Sequence, residues 1–129
     1  MPQRPIELIL LRQLASYLAT PMFIVDADGT LVYYNEAAEE LVGRRFEETT
    51  EMAREEWLAA FAPHELDGAL TADADNPLLA ALEQRCEQHR TLVIRGLDGA
   101  ERRIEATGLP LEGQAGLVGA VAIFWPAAE

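Results

Sequence analysis

Few residues in this sequence could carry out covalent chemistry. Two histidines, His64 and His89, one cysteine, Cys86, and one serine, Ser16, make up its supply of imidazole bases and common nucleophiles. Neither histidine has a Ser, Cys or Asp partner at a spacing that builds a nucleophile–base pair. Asp73-Ala74-Asp75-Asn76 alternates carboxylates as a Ca²⁺ loop does, but Pro77 stands where the next ligand belongs and no glycine follows. Gly96, Gly99 and Gly108 fall in no phosphate-binding pattern. These residues point away from catalysis and from a metal centre. They leave binding or signalling as the role to look for.

Composition narrows that role. The chain has 129 residues, enough for one domain around one core. Twenty-two acidic against ten basic residues leave a net charge of -12, which opposes contact with nucleic-acid phosphates and favours solubility. All ten basic residues are arginine, to which no functional weight attaches. The single Cys86 excludes an internal disulfide and suits a reducing cytoplasm. The apolar run Ile6–Leu11 stops at Arg12 and Gln13, too short to span a bilayer and without the basic start of a signal peptide.

The elements that must position any site are legible in order. Met22–Val25 and Leu31–Tyr34 flank Asp26-Ala27-Asp28-Gly29, a strand–turn–strand in which Gly29 supplies the positive φ of a short hairpin. Asn35 is the cap of a helix whose face is Ala37, Ala38 and Leu41, and Gly43 is its stop. A connector or helical turn at 44–48 leads to a helix at about 51–62 carrying Ala53, Trp57, Ala60 and Phe61, ended by Pro63. Residues 63–76 read as an acidic surface loop. Asn76-Pro77 starts a helix with Leu78, Leu79, Leu82 and Cys86 on one face, running to about Gln88. Three strands follow: Thr91–Gly96, Glu101–Leu111 and Leu117–Trp125, the first two joined at an Asp98-Gly99 turn.

Strand Glu101–Leu111 alternates at its start, as a half-exposed strand does, whereas Met22–Val25 and Leu117–Trp125 are apolar on both faces. Those two must be central strands covered on both sides. The helices of 35–88 cover one face. The other needs the amphipathic N-terminal helix at 5–19, whose apolar residues Ile6, Ile9, Leu10, Leu14 and Tyr17 are accompanied by Leu8 and Leu11. So wide a stripe is covered either by its own domain alone or partly by a second subunit.

In this order and at these spacings, the chain resembles a PAS domain. The resemblance covers nearly all of 15–125 and rests on Val25-Asp26-Ala27-Asp28-Gly29 with Asn35, Ala38, Leu41 and Gly43, then Leu97-Asp98-Gly99 and Val118-Gly119-Ala120-Val121. It implies an α+β fold: a five-stranded antiparallel sheet with helices on one face, a cavity between them, and an N-terminal cap helix. The division is a cap at 1–19 and a PAS domain at 20–126. Histidine kinases carry a phosphoacceptor box that His64-Glu65-Leu66 resembles only superficially, since Pro63 precedes it and Gly68 follows.

The phase of the strands selects residues to line the cavity: Phe23, Val25, Val121 and Ile123 from the central strands, and Leu92, Ile94, Ile104 and Ala106 from the outer ones. Trp57, Phe61, Leu78 and Leu82 close it from the helices. Only Tyr33 or Tyr34 could bring a polar group near this set, so a small, mostly apolar ligand is expected. The cofactor stays open. Haem-binding members use a histidine on the last helix before the third strand, which here would be His89. Light-sensing flavin members carry a reactive cysteine that the segment Gly43-Arg44-Arg45-Phe46 lacks, so adduct chemistry is not expected. The reading is a standalone cytoplasmic sensory module that is no enzyme. It forms a homodimer through Ile6, Ile9, Leu10, Leu14 and Tyr17 and signals in trans to a partner protein, with transcriptional or kinase output supplied there. Neither nucleic acid nor membrane is a direct partner. The alternative is a ligand-free dimerisation and interaction domain.

Overall fold

The computed structural model describes residues 5–127. Its elements are α1 (Ile6–Ser16), β1 (Met22–Asp26), β2 (Leu31–Tyr34), α2 (Glu36–Val42), α3 (Phe46–Thr49), α4 (Arg54–Phe61), a 3₁₀ turn (Asp73–Asp75), α5 (Pro77–Gln84), β3 (Gln88–Arg95), β4 (Glu101–Gly113) and β5 (Gly116–Pro126). The strands form one antiparallel sheet in the order β2-β1-β5-β4-β3, so β1 and β5 are interior strands, as their apolar faces require.

Two apolar layers result. Phe23, Val25, Ala120, Ala122 and Phe124 face the short helices, with Leu41, Trp57, Phe61 and Leu78 packed onto them. Met22, Ile24, Val32 and Val121 face the opposite way, onto Leu8 and Ala15 of α1. This corrects the phase read for β5. Phe23 pairs with Ala122, and antiparallel partners share a face, so Val121 and Ile123 point at α1 rather than into the cavity layer.

Helix ends differ from the sequence reading where backbone bonding outside the helix takes over. α1 is shorter than 5–19, its helical bonding ending at Ser16. α4 begins at Arg54, because Met52 exchanges two backbone hydrogen bonds with Leu31 at 2.8 and 3.0 Å. α5 ends at Gln84, where Arg85 turns into the left-handed region (φ 55°) without a glycine. Cys86 therefore lies after the helix and is exposed, and His89 belongs to strand β3. The segment 63–76 is more than a loop: His64 and Val93 exchange backbone bonds of 2.9 Å in each direction.

Gly43 and Gly108 are among the glycines required by close approach. At Gly43 (φ +83°), which ends α2, an added Cβ would stand 2.8 Å from the Asp98 carboxyl carbon. At Gly108 an added Cβ would meet the Pro77 carbonyl oxygen at 2.2 Å, so α5 sits directly on β4. No helix among the described residues is long and apolar enough to cross a membrane.

Candidate functional site

Between the sheet and the helices lies a cavity of about 50 Å³. Trp57 and Phe61, one turn apart on α4, form one wall, and the Trp57 indole N–H is fixed by donating to the Gly29 carbonyl at 2.8 Å. Leu78 of α5 closes a second side. The floor is Phe23 from β1 and Leu92, Ile94, Ile104 and Ala106 from β3 and β4. Phe23 is held in an aromatic cluster, with ring centroids 5.6 Å from Tyr34, 5.6 Å from Phe61 and 4.8 Å from Phe124.

Eight of the twelve residues read from the sequence are thus brought together. Val25 is fully buried in the same layer but does not line the void, and Leu82 packs against that layer from its edge. Val121 and Ile123 lie on the α1 side of the sheet. Pro63, Asn76, Pro77, Ala122 and Phe124 line the cavity and were not anticipated. Ala122 and Phe124 follow once the β5 register is known. Asn76-Pro77 was visible as a helix start, and the same cap brings both residues to the cavity.

The lining is apolar except for Asn76, whose Oδ1 is taken up as the α5 cap, accepting from Leu78 N at 3.0 Å and Leu79 N at 3.3 Å. Tyr34 sends its hydroxyl away, donating to the Arg44 carbonyl at 2.9 Å with Thr49 Oγ1 at 3.0 Å, and burial pushes its phenol pKa up. Tyr33 lies on the other face beneath Arg12, whose guanidinium carbon is 4.6 Å from its ring centroid. Burial also raises the Tyr33 pKa.

A strap, residues 63–76, begins and ends on residues that line the cavity, Pro63 and Asn76. Glu65 accepts from Arg90 and from the Thr71 hydroxyl (2.7 Å), and these bonds, Arg90 first, hold its carboxyl below the ordinary glutamate range. Arg90 also faces Asp75 at 3.7 Å, and Arg54 pairs with Asp73 at 3.1 Å. No side chain from Glu65 to Asp75 is buried, so polar contacts are what close the strap.

A flavin or haem does not fit these residues. Pockets for such ligands run to roughly 300–1,000 Å³, and no lining residue offers a thiol, an imidazole or a cation. His89 stands on the outer sheet face, its Nδ1 2.8 Å from Thr107 Oγ1 and its Nε2 3.6 Å from Glu105, which overturns it as a candidate axial ligand. His64 is engaged with the Ala62 carbonyl at 2.9 Å and with Glu101 at 3.4 Å. Among the described residues no group of three or more His, Cys, Asp or Glu side chains could hold a metal ion.

The outer face of α1 is a second candidate surface. Leu8 and Ala15 are buried against the sheet, whereas Ile6 (65%), Ile9 (52%), Leu10 (56%), Leu14 (53%) and Tyr17 (76%) are exposed.

A sheet in the order 2-1-5-4-3, with short helices enclosing an apolar cavity on one face and an N-terminal helix on the other, defines the PAS class of fold. A family model described as the PAS fold matches residues 18–129, and the chain belongs to that family of sensory and signalling domains. No curated protein matches it. Among solved structures it is similar to a PAS domain from Colwellia psychrerythraea, at 18% identity and a TM-score of 0.64 over 93% of this chain and 96% of that one. The PAS domain of nitrogen regulation protein NR(II) from Vibrio parahaemolyticus matches at 17% identity and a TM-score of 0.64, over 92% and 98%. A LOV protein of Rhodobacter sphaeroides matches at 13% identity and a TM-score of 0.74, over 97% and 70%. These likenesses concern the fold.

Proposed function

We propose that this PAS domain is a cytoplasmic, non-catalytic signalling module that acts by self-association through the outer face of α1 and passes its state in trans to a partner protein. The observation that carries the reading is that face itself: Ile6, Ile9, Leu10, Leu14 and Tyr17 are all more than half exposed. Apolar residues grouped on one face mark an interaction site. A second copy is the occupant that charge favours. On a protein of net charge -12, α1 carries one carboxylate, the half-buried Glu7, balanced by Arg12, so two copies meet along it with less repulsion than the acidic remainder of the surface would bring. An isologous pair would set the apolar residues of one helix against those of the other. Light scattering coupled to size exclusion tests it. A dimer that Leu14→Glu converts to a folded monomer is expected. A wild-type protein that stays monomeric at high micromolar concentration would overturn the reading.

The cavity supports a second, narrower reading as a ligand site. At about 50 Å³ it admits an apolar molecule of a few heavy atoms, well short of the ~150 Å³ that holds benzene. Xenon titration followed by NMR tests it, with shifts at Leu92, Ile104 and Ala106 methyls as the expected result and none as the refutation.

A further inference from the structure

Asn35 does more than cap α2. It is fully buried, and each end of its amide is used. Oδ1 accepts from Ala38 N at 3.1 Å, which is the helix cap, and from Met22 N at 3.0 Å, which belongs to β1. Nδ2 donates the other way, to the Ala15 carbonyl at 3.0 Å and the Thr20 carbonyl at 2.8 Å, with the Leu18 carbonyl at 3.5 Å. Those three carbonyls are the end of α1 and the link that follows it. A helix ends with carbonyls that lack partners, commonly turned back by a glycine. Residues 17–21 are Tyr-Leu-Ala-Thr-Pro and contain none. The Ala15 carbonyl already accepts from Leu18 N at 3.1 Å. A side chain from the start of another helix adds a second donor there and serves the Thr20 carbonyl of the link.

The rest of α1 is lightly attached. Leu8 and Ala15 are its buried residues, Leu11 is half-buried, and Arg12 lies over Tyr33 and Phe46 at 4.6 and 5.5 Å. At the other end of the Asn35 amide is the cavity strand: Met22, whose N–H it holds, is joined to Phe23, which lines the void. We propose that Asn35 is the positioning residue of α1, a single amide that fixes where the exposed apolar face stands relative to β1. A displacement of β1 at Phe23 is then carried to α1 through Met22 and Asn35. The consequence for self-association rests on the reading above, while the tether itself does not.

Asn35→Asp separates the two roles. The aspartate keeps an oxygen for Ala38 N and Met22 N, but places a second acceptor against three carbonyls. Backbone hydrogen exchange over 8–18 is expected to speed at least about tenfold, with α5 and β4 unchanged. The dimer dissociation constant is expected to rise with it. An α1 that exchanges at the wild-type rate in a folded Asn35→Asp protein would overturn the proposal. Should that variant not fold, the Asn35 side-chain NH₂ protons of the wild type decide by NMR. Protection from solvent exchange supports the tether, and exchange as fast as an exposed asparagine overturns it. A monomeric wild type would remove the self-association reading alone, because the exchange of α1 still reports on Asn35.

Discussion

Phe23 on β1 and Ala122 on β5 are direct cross-strand partners, and both line the cavity. That pairing sets the phase of the whole inner layer, since every second residue of β5 from Ala120 to Phe124 must then face the helices. It also leaves Val121 and Ile123 to α1.

Truncations on the two faces should therefore differ. Leu92→Ala, in the cavity floor, is expected to cost about 3 kcal/mol through lost burial and an enlarged void. Ile123→Ala, on a half-covered face, should cost about 1 kcal/mol. Urea denaturation of both variants measures this, and the reverse order would place Ile123 in the inner layer.

The same logic separates the two sides of α1. Leu8→Ala should lower monomer stability by about 3 kcal/mol, while Leu14→Ala should leave it within about 0.5 kcal/mol. Denaturation in dilute solution, where association is negligible, makes the comparison. Equal losses would mean that Leu14 is covered by its own domain.

Acidification should open the strap before the core. The Arg90 and Thr71 hydrogen bonds hold the folded pKa of Glu65 below its unfolded value. Its contribution is complete above the ordinary glutamate pKa of about 4.3 and lost as pH falls through the lower folded value. Amide protection factors at His64 and Thr71 should fall between pH 5 and 3 in the wild type. In Glu65→Gln they should already be low at pH 6 and show no such step. A step that survives in the variant would assign it to Asp75, the other carboxylate facing Arg90.

Gly43→Ala should be among the most damaging single-methyl changes. It combines a left-handed backbone with a Cβ only 2.9 Å from the Asp98 backbone nitrogen. A loss of about 3 kcal/mol is expected, read as a lowered thermal midpoint. A change below about 0.5 kcal/mol would show that the β3–β4 turn can retreat freely.

How much of this could be read beforehand depended on whether the signal was local. Gly29 and Gly43 both have positive φ, and Asn35 and Asn76 both cap the helices they precede. Each reports its own conformation through its own side chain, or the lack of one. The two-faced strands also placed α1 on the sheet correctly. The β5 phase was not legible, because a strand apolar on both faces has no alternation to read, the β4–β5 hairpin that precedes it shifts register at Leu111/Glu112, and its other partner, β1, is about a hundred residues away in the chain. The end of α5 was hidden because Arg85 occupies a conformation usually marked by glycine. That reading put His89 at the end of a helix and Cys86 on the helix's apolar face. The second role of Asn35 was equally invisible, since carbonyl groups carry no sequence signature.

The pairing of Met22 with Ile123 also bears on how the protein is made. The interior strand β1 emerges from the ribosome before the other strands of the sheet, and one of its two neighbours, β5, is the last of them to emerge. Until then the nascent chain can close the β1–β2 hairpin but must hold an apolar strand with an open edge, a state prone to wrong partners. Folding should proceed as a late, long-range closure rather than by growth from the N-terminal end. The window between the synthesis of β1 and the arrival of β5 is where this protein would depend on a chaperone.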